Sequence, residues 1–424
     1  MASTSIDRAQ AGAGMGIGGL LATLSGVLLL ILVVAFAALS FLEVVGRYGV
    51  GRPLFGSELS EDISRYFGLA VVGASLLALP AALAAAFMRQ GDPPLRSRSA
   101  LVLVPGCLVA MIAALAGFAV MFGMGQDRGV GFTLPLTQLA GTFGDYIFLV
   151  LPCFVVISAV IGGARTPEAT AAVAAPTILV ALYGTFLQVS IANTFVALLV
   201  PAIIAAATVA VLFAAAPARA VTPWLAGWAL AFGTTLLVIT GFLTPTEAGG
   251  LLALFVLVVA IPIRTLALGQ PIAPMLRQAG METVAIVAVM AAGTLVSTAL
   301  ALSGASANVV ASVGTSSAAL LAVPVAYLAA AYLLTPALAI ALLLPLTHPI
   351  IVTGGIDPVL AGTVAILLGL GAAMARAARR DPAAEALSLP AAAAWIAAAV
   401  LVALAAVVAL VPNLAMAPVR ALLL

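Results

Sequence analysis

Long apolar runs follow one another along the chain, and short polar stretches separate them. A helix that crosses a bilayer needs about 20 apolar residues, and on that measure the sequence predicts roughly thirteen hydrophobic segments. The segments lie near residues 17–42, 66–88, 100–124, 146–163, 171–192, 194–215, 224–243, 248–268, 281–302, 318–334, 336–352, 359–375 and 390–411. We therefore predict an all-α, polytopic integral membrane protein. Prolines interrupt the last third, where re-entrant hairpins are an alternative to full crossings: Pro324, Pro336, Pro345 and Pro349.

The composition supports a membrane protein. The chain is 65% hydrophobic and 7% charged, whereas a soluble domain carries roughly 25% charged residues. The formal net charge of +2 is too small to indicate a nucleic-acid partner. The lipid bilayer is the partner that the composition predicts.

The arginines indicate an orientation. If the N-terminus is cytoplasmic, Arg128 and Arg420 fall outside, and ten arginines fall in cytoplasmic loops, as the positive-inside rule expects. Those ten are Arg89, Arg96, Arg98, Arg165, Arg219, Arg264, Arg277, Arg376, Arg379 and Arg380. The sequence thus predicts a multi-pass protein with a cytoplasmic N-terminus.

Residues 43–66 are unusually charged for this chain. Their second half opens with Ser57, a suitable N-cap, continues with acidic residues and ends at Tyr66. This pattern predicts an amphipathic helix near residues 57–66 that lies in the membrane interface, and a solvated loop is the alternative.

A polar break at residues 241–250 separates two apolar runs. It contains Gly241, Thr244, Pro245, Thr246 and Glu247. A carboxylate at membrane depth is costly, and an ionisable residue there indicates a functional site. Broken helices with free carbonyls form the ion sites of secondary transporters. The alternative is an ordinary turn in which Thr246 and Glu247 cap a helix that begins at Ala248.

Three further residues are candidates for a polar cavity or an ion site. Thr294 and Ser297 lie in a hydroxyl-rich stretch, where small polar residues otherwise serve close helix packing. Asp357 precedes Pro358 in a second polar break, so it is either a turn residue or a carboxylate that faces an ion.

The sequence does not indicate an enzyme or a bound cofactor. Cys107 and Cys153 fall in apolar runs and read as core residues, and His348 lacks neighbours at metal-ligand spacing. The chain contains no His-Glu-x-x-His and no Gly-x-Ser-x-Gly motif.

The stretch Gly241-x-x-Thr244-Pro245-Thr246-Glu247-Ala248 resembles the signature of the large membrane subunit of TRAP transporters, the tripartite ATP-independent periplasmic carriers. Its surroundings, with Pro201 before it and Gly355-Ile356-Asp357-Pro358 after it, are similar to that family too. The motifs Arg47-Tyr48 and Gly51-Arg52-Pro53 resemble the small membrane subunit. The resemblance implies a four-helix small-permease-like module at 1–165, fused to a large-permease-like transport module at 170–424.

The chain departs from the family pattern in two respects. A large subunit alone is about as long as this whole chain, and the second-half signature with Thr-Pro-Pro is absent after Gly362. We therefore expect much of the first inverted half to be missing, with a separate chain as its source. The alternative function is a truncated, non-transporting paralogue that acts as a membrane scaffold or regulatory subunit.

The resemblance implies sodium-coupled uptake of an organic acid, such as a C4-dicarboxylate, across the bacterial inner membrane. A periplasmic binding protein would deliver this substrate. For the sodium ion it implies oxygen ligands from Gly241, Thr244, Thr246 and Thr294, with Glu247 orienting the loop or holding a helix N-terminus.

Overall fold

The computed structural model describes residues 41–51, 118–123, 133–143, 178–187, 189–213, 235–260, 293–299, 317–333, 336–378 and 391–423, with isolated helical positions between 31 and 311. Helices are the only regular elements within these ranges, which confirms the all-α fold class. The predicted interfacial helix near 57–66 and Cys107 lie outside the described residues.

Nine α-helices are numbered here in chain order. They are α1 (Thr133–Phe143), α2 (Ile178–Leu187), α3 (Ile191–Phe213), α4 (Pro245–Phe255), α5 (Ser317–Leu333), α6 (Pro336–Thr353), α7 (Pro358–Ala378), α8 (Ala391–Leu410) and α9 (Asn413–Leu423) within the described part of the chain. The described residues also include two π-helical turns, π1 (Gly46–Val50) and π2 (Val256–Ala260). The turn π1 continues the helical residues 41–45, and π2 continues α4 directly.

The predicted segments near the C-terminus match the helices closely. The boundaries of α5, α6, α7 and α8 lie within three residues of the predicted ones. Prolines inside α5 and α6 do not break these helices, and Pro336 begins α6, where a missing N–H has no cost. Neighbouring helices can satisfy the carbonyls that such prolines leave free, so a membrane protein tolerates them.

Several predicted boundaries were wrong, and glycine or a capping residue explains two of them. The first helix continues past Leu42 through π1 and ends at Gly51, whose φ of 73° lies in the left-handed region. Helix α4 begins at Pro245 and not at Ala248, because Thr244 supplies the cap. Apolarity marks the membrane-buried part of a helix, whereas glycine and capping residues decide where it ends.

Helix α1 lies between the predicted segments 100–124 and 146–163 and was not predicted, and neither was α9. After α8 the chain bends by 71° and forms this short helix, which packs mainly against α3. Ala415 and Met416 lie on its buried side, and Arg420 is exposed. The prediction counted only apolar runs long enough to cross the bilayer, and a helix of 11 residues is too short to be found in that way.

Helix α7 lies at the centre of the packed helices. It contacts α2, α3, α5, α6 and α8, and its residues 362–372 are buried on every side. A Cβ at Gly362 would lie 2.3 Å from the Tyr183 ring of α2, and one at Gly371 would lie 2.9 Å from Val402 of α8. Small residues thus let the backbone of α7 approach its neighbours, as is usual between membrane helices.

Among the described residues, one helical stretch, Pro358–Ala375 of α7, is long and apolar enough by itself to cross a membrane. A second qualifies if Trp395–Leu410 and Asn413–Ala421 are counted as one broken span. Shorter apolar helices occur at Ile191–Ala205, Glu247–Val258 and Leu321–Leu333.

Candidate functional site

A glycine ends the helix that precedes α4. Gly241 has a φ of 72°, a conformation that an L side chain rarely adopts. Its N–H donates to the Val238 carbonyl at 3.1 Å, and the Leu243 N–H donates to the Leu237 carbonyl at 3.1 Å. These bonds satisfy the carbonyls of the last helical turn and direct the chain away from the helix axis.

Thr244 and Glu247 form a capping box at the start of α4. The Thr244 hydroxyl accepts from the Glu247 N–H at 3.3 Å, and the Glu247 carboxylate accepts from the Thr244 N–H at 2.8 Å. Pro245 occupies the first helical turn, where it displaces no hydrogen bond. Residues 241–247, called the break loop below, therefore form a capped turn. Two roles were expected of Glu247, and in the structure it has one of them, that of holding a helix N-terminus.

Glu247 is 3% exposed and forms an ion pair with Arg47. Its Oε1 lies 2.7 Å from Nη2 of Arg47, and its Oε2 accepts from Nη1 at 3.3 Å. This two-pronged geometry is the strongest form of a guanidinium–carboxylate contact. A buried carboxylate is costly unless a cation and hydrogen bonds compensate for its lost hydration.

Tyr48 contacts the break loop beside Arg47. Its ring stacks on Phe242 with the centroids 4.4 Å apart and the planes 11° apart, and its hydroxyl donates to the Phe242 carbonyl. The turn π1 therefore binds the break loop through two adjacent side chains. Sequence reasoning named Arg47 and Tyr48 as motif residues but did not pair them with the loop.

The predicted ion- or substrate-binding residues lie in separate parts of the chain. Gly241 and Thr244 lie together in the break loop and are exposed. The side chains of Pro245 and Thr246 lie outside the described part of the structure. Thr294 is buried on a separate helical segment, 293–299, and its hydroxyl donates to the Met290 carbonyl at 3.0 Å within its own helix. Ser297 lies one turn farther along and is partly buried.

Asp357 caps a second helix. Its carboxylate accepts from the Val359 N–H at 2.8 Å and from the Leu360 N–H at 3.3 Å, at the start of α7. Gly355, with a φ of 67°, ends α6 two residues earlier. This geometry is that of the turn residue, one of the two interpretations of Asp357, and it places the carboxylate at an exposed helix N-terminus.

The residues that could bind a transition metal are dispersed. Cys153 is buried as a free thiol, and His348 is partly buried in α6. Within the described ranges, no three His, Cys, Asp or Glu side chains come together as a metal site. The oxygens of the break loop are the kind of ligand that a hard monovalent cation takes.

A family model comparison decides which protein family this is. The model of the tripartite ATP-independent periplasmic transporter, DctM component, matches residues 158–375, just over half of the chain. The chain belongs to the DctM family. The match contains the break loop, Thr294, Ser297 and Asp357, whereas Arg47 and Tyr48 lie outside it.

Membership of the DctM family establishes the broad class. The chain is a membrane permease subunit of a TRAP transporter, a family of transporters and not of enzymes, whose systems include a periplasmic binding protein. A search of curated proteins found no match. The division into modules at 1–165 and 170–424 stays a prediction.

Proposed function

We propose that this DctM-family chain takes up a small organic acid in symport with sodium, after a periplasmic binding protein delivers the substrate. The acid is a C4-dicarboxylate or another carboxylate, and the membrane is the bacterial inner membrane with the N-terminus cytoplasmic. The observation that carries this proposal is the break loop, an ordered interruption between apolar helices that lies inside the family match.

The chemistry of the break loop suits a sodium ion. Gly241 takes a left-handed conformation, so the chain leaves the helix and its carbonyls need not point along the axis. Oxygen ligands would come from Gly241, Thr244, Thr246 and Thr294. Since Arg47 pairs with Glu247, the carboxylate would hold the loop and would not contribute its charge to the ion.

One observation favours the alternative, a non-transporting scaffold. Polar groups of the break loop already have partners within the protein: Glu247 binds Arg47, the Thr244 hydroxyl accepts from Glu247, and the Phe242 carbonyl accepts from Tyr48. A turn with internally satisfied groups also suits a purely structural role.

Reconstitution separates the two functions. The purified protein is placed in liposomes with the binding protein encoded beside it, and uptake of a panel of carboxylates is measured with an inward sodium gradient, then with potassium in its place. We expect uptake of at least one carboxylate with sodium and a loss of about tenfold or more without it. Absence of uptake from a folded protein, with every substrate and gradient, would reject the transporter and favour the scaffold.

A further inference from the structure

We propose that Arg47 and Tyr48 are positioning residues for the break loop, so that the N-terminal segment fixes the geometry of the candidate sodium site. This inference rests on the proposed function for its meaning, but its structural part can be tested without transport. Neither residue lies in the part of the chain that the family model matches.

Arg47 acts through the carboxylate that caps α4. The Oε2 atom of Glu247 accepts from both the Thr244 N–H at 2.8 Å and Nη1 of Arg47 at 3.3 Å, while Oε1 lies 2.7 Å from Nη2. Both carboxylate oxygens are thus held by one guanidinium, which fixes the plane of the carboxylate. Thr244 and its hydroxyl take their positions from that carboxylate.

Tyr48 acts on the opposite end of the break loop. Its hydroxyl donates to the Phe242 carbonyl, and its ring covers the Phe242 ring at 4.4 Å between centroids. The carbonyl direction at residue 242 is therefore set by a side chain from π1. Stacked aromatic rings and a hydrogen bond hold one residue in two ways, which limits its rotation.

The backbone of π1 presents both side chains to the loop. The turn ends at Gly51 in the left-handed conformation, and the Gly51 N–H donates to the Gly46 carbonyl. Single π-helical turns often occur at functional sites because they change which residues face a neighbour. Here adjacent residues 47 and 48 reach residues 247 and 242.

Rigid placement of oxygen ligands matters for a cation, because ligands that must be ordered on binding reduce the affinity. Arg47 is partly exposed, and ion pairs with an exposed partner contribute up to about 1 kcal/mol. That free energy corresponds to about fivefold in an equilibrium constant. Loss of Arg47 or of the Tyr48 hydroxyl should therefore weaken sodium binding without removing the ligands themselves.

The first test measures sodium dependence in the reconstituted full chain. Arg47→Gln and Tyr48→Phe should each raise the half-saturating sodium concentration, by about fivefold for Arg47→Gln, while the maximal rate changes less than about twofold. Arg47→Lys keeps the charge but not the two-pronged contact, so it should recover only part of the loss. The matched control is Arg420→Gln, which removes an exposed arginine from α9 and should leave both parameters unchanged.

The second test measures amide hydrogen exchange of the peptide that covers residues 241–248 in detergent, with no substrate. Arg47→Gln should increase its exchange by about fivefold relative to the unmutated protein, and Arg420→Gln should not. Equal exchange in both variants would overturn the proposal, as would an unchanged sodium requirement in Arg47→Gln. Absence of uptake by the unmutated protein would count against the proposed function, and the exchange result alone would then decide whether Arg47 holds the loop.

Discussion

Glu247 shows how a carboxylate is accommodated in so apolar a chain. Its own helix supplies one donor, the Thr244 N–H, and Arg47 supplies the opposite charge from 200 residues away. The first contact could be predicted from the sequence because a capping box is local. The contact with Arg47 could not be predicted from the spacing of residues in the sequence. A buried carboxylate requires a cation, however, and Arg47 is one of the few basic residues of the chain.

Asp357 offers a separate test at the scale of one residue. If it serves only as the N-cap of α7, Asp357→Asn should be nearly neutral, because asparagine caps as well as aspartate, and Asp357→Ala should cost about 1 kcal/mol. Thermal unfolding in detergent gives the stability of each variant. A substantial loss of sodium dependence in Asp357→Asn, with normal stability, would show that the carboxylate has a role beyond the turn.

The two polar breaks have the same construction. In each, a glycine with positive φ ends one helix, and a capping residue followed by proline begins the next: Gly241, Thr244 and Pro245 in one, Gly355, Asp357 and Pro358 in the other. These signals are local, so the sequence predicted both breaks. The length of α9 and the continuation of the first helix through π1 depend on packing and on capping, which apolarity does not report.

The contact between α2 and α7 tests the packing at the scale of helices. Gly362→Ala would place a methyl group 2.3 Å from the Tyr183 ring. We expect a loss of about 1–3 kcal/mol, the usual cost of overfilling a packed core. Gly141→Ala, in open space on α1, is the control and should be neutral or stabilising.

A second substitution shows whether this contact is the cause. In a Tyr183→Ala background, which removes the ring and its bond to the Pro358 carbonyl, the effect of Gly362→Ala should fall to near zero. Equal losses in both backgrounds, measured by thermal unfolding, would mean that the ring is not what excludes a side chain at 362.

At the scale of the whole molecule, the ion pair agrees with the predicted order of segments. Six predicted segments lie between Arg47 and Glu247, an even number that returns the chain to the same face of the membrane. Arg47 and Glu247 can form their ion pair only if both lie on the same face. If the N-terminus is cytoplasmic, Arg47 lies on the external face, unlike most of the arginines, and its pairing with Glu247 gives a physical reason for this position.

Labelling from one side of the membrane tests this arrangement. In a background without Cys107 and Cys153, Val50→Cys and Thr240→Cys should react with an impermeant maleimide from the periplasmic face. Ser97→Cys, in the arginine-bearing loop at 89–98, should react from the cytoplasmic face. Reaction of Val50→Cys and Thr240→Cys from opposite faces would contradict the segment count.

The central claim is that the break loop binds the coupling ion, and the sodium dependence of uptake in Thr244→Ala tests it most directly. Thr208→Ala is the matched control, since the Thr208 hydroxyl donates to the Ile204 carbonyl within α3. The account predicts that Thr244→Ala raises the half-saturating sodium concentration about tenfold, the equivalent of about 1.4 kcal/mol. Thr208→Ala should leave that concentration unchanged. Equal sodium requirements in the two variants would contradict it.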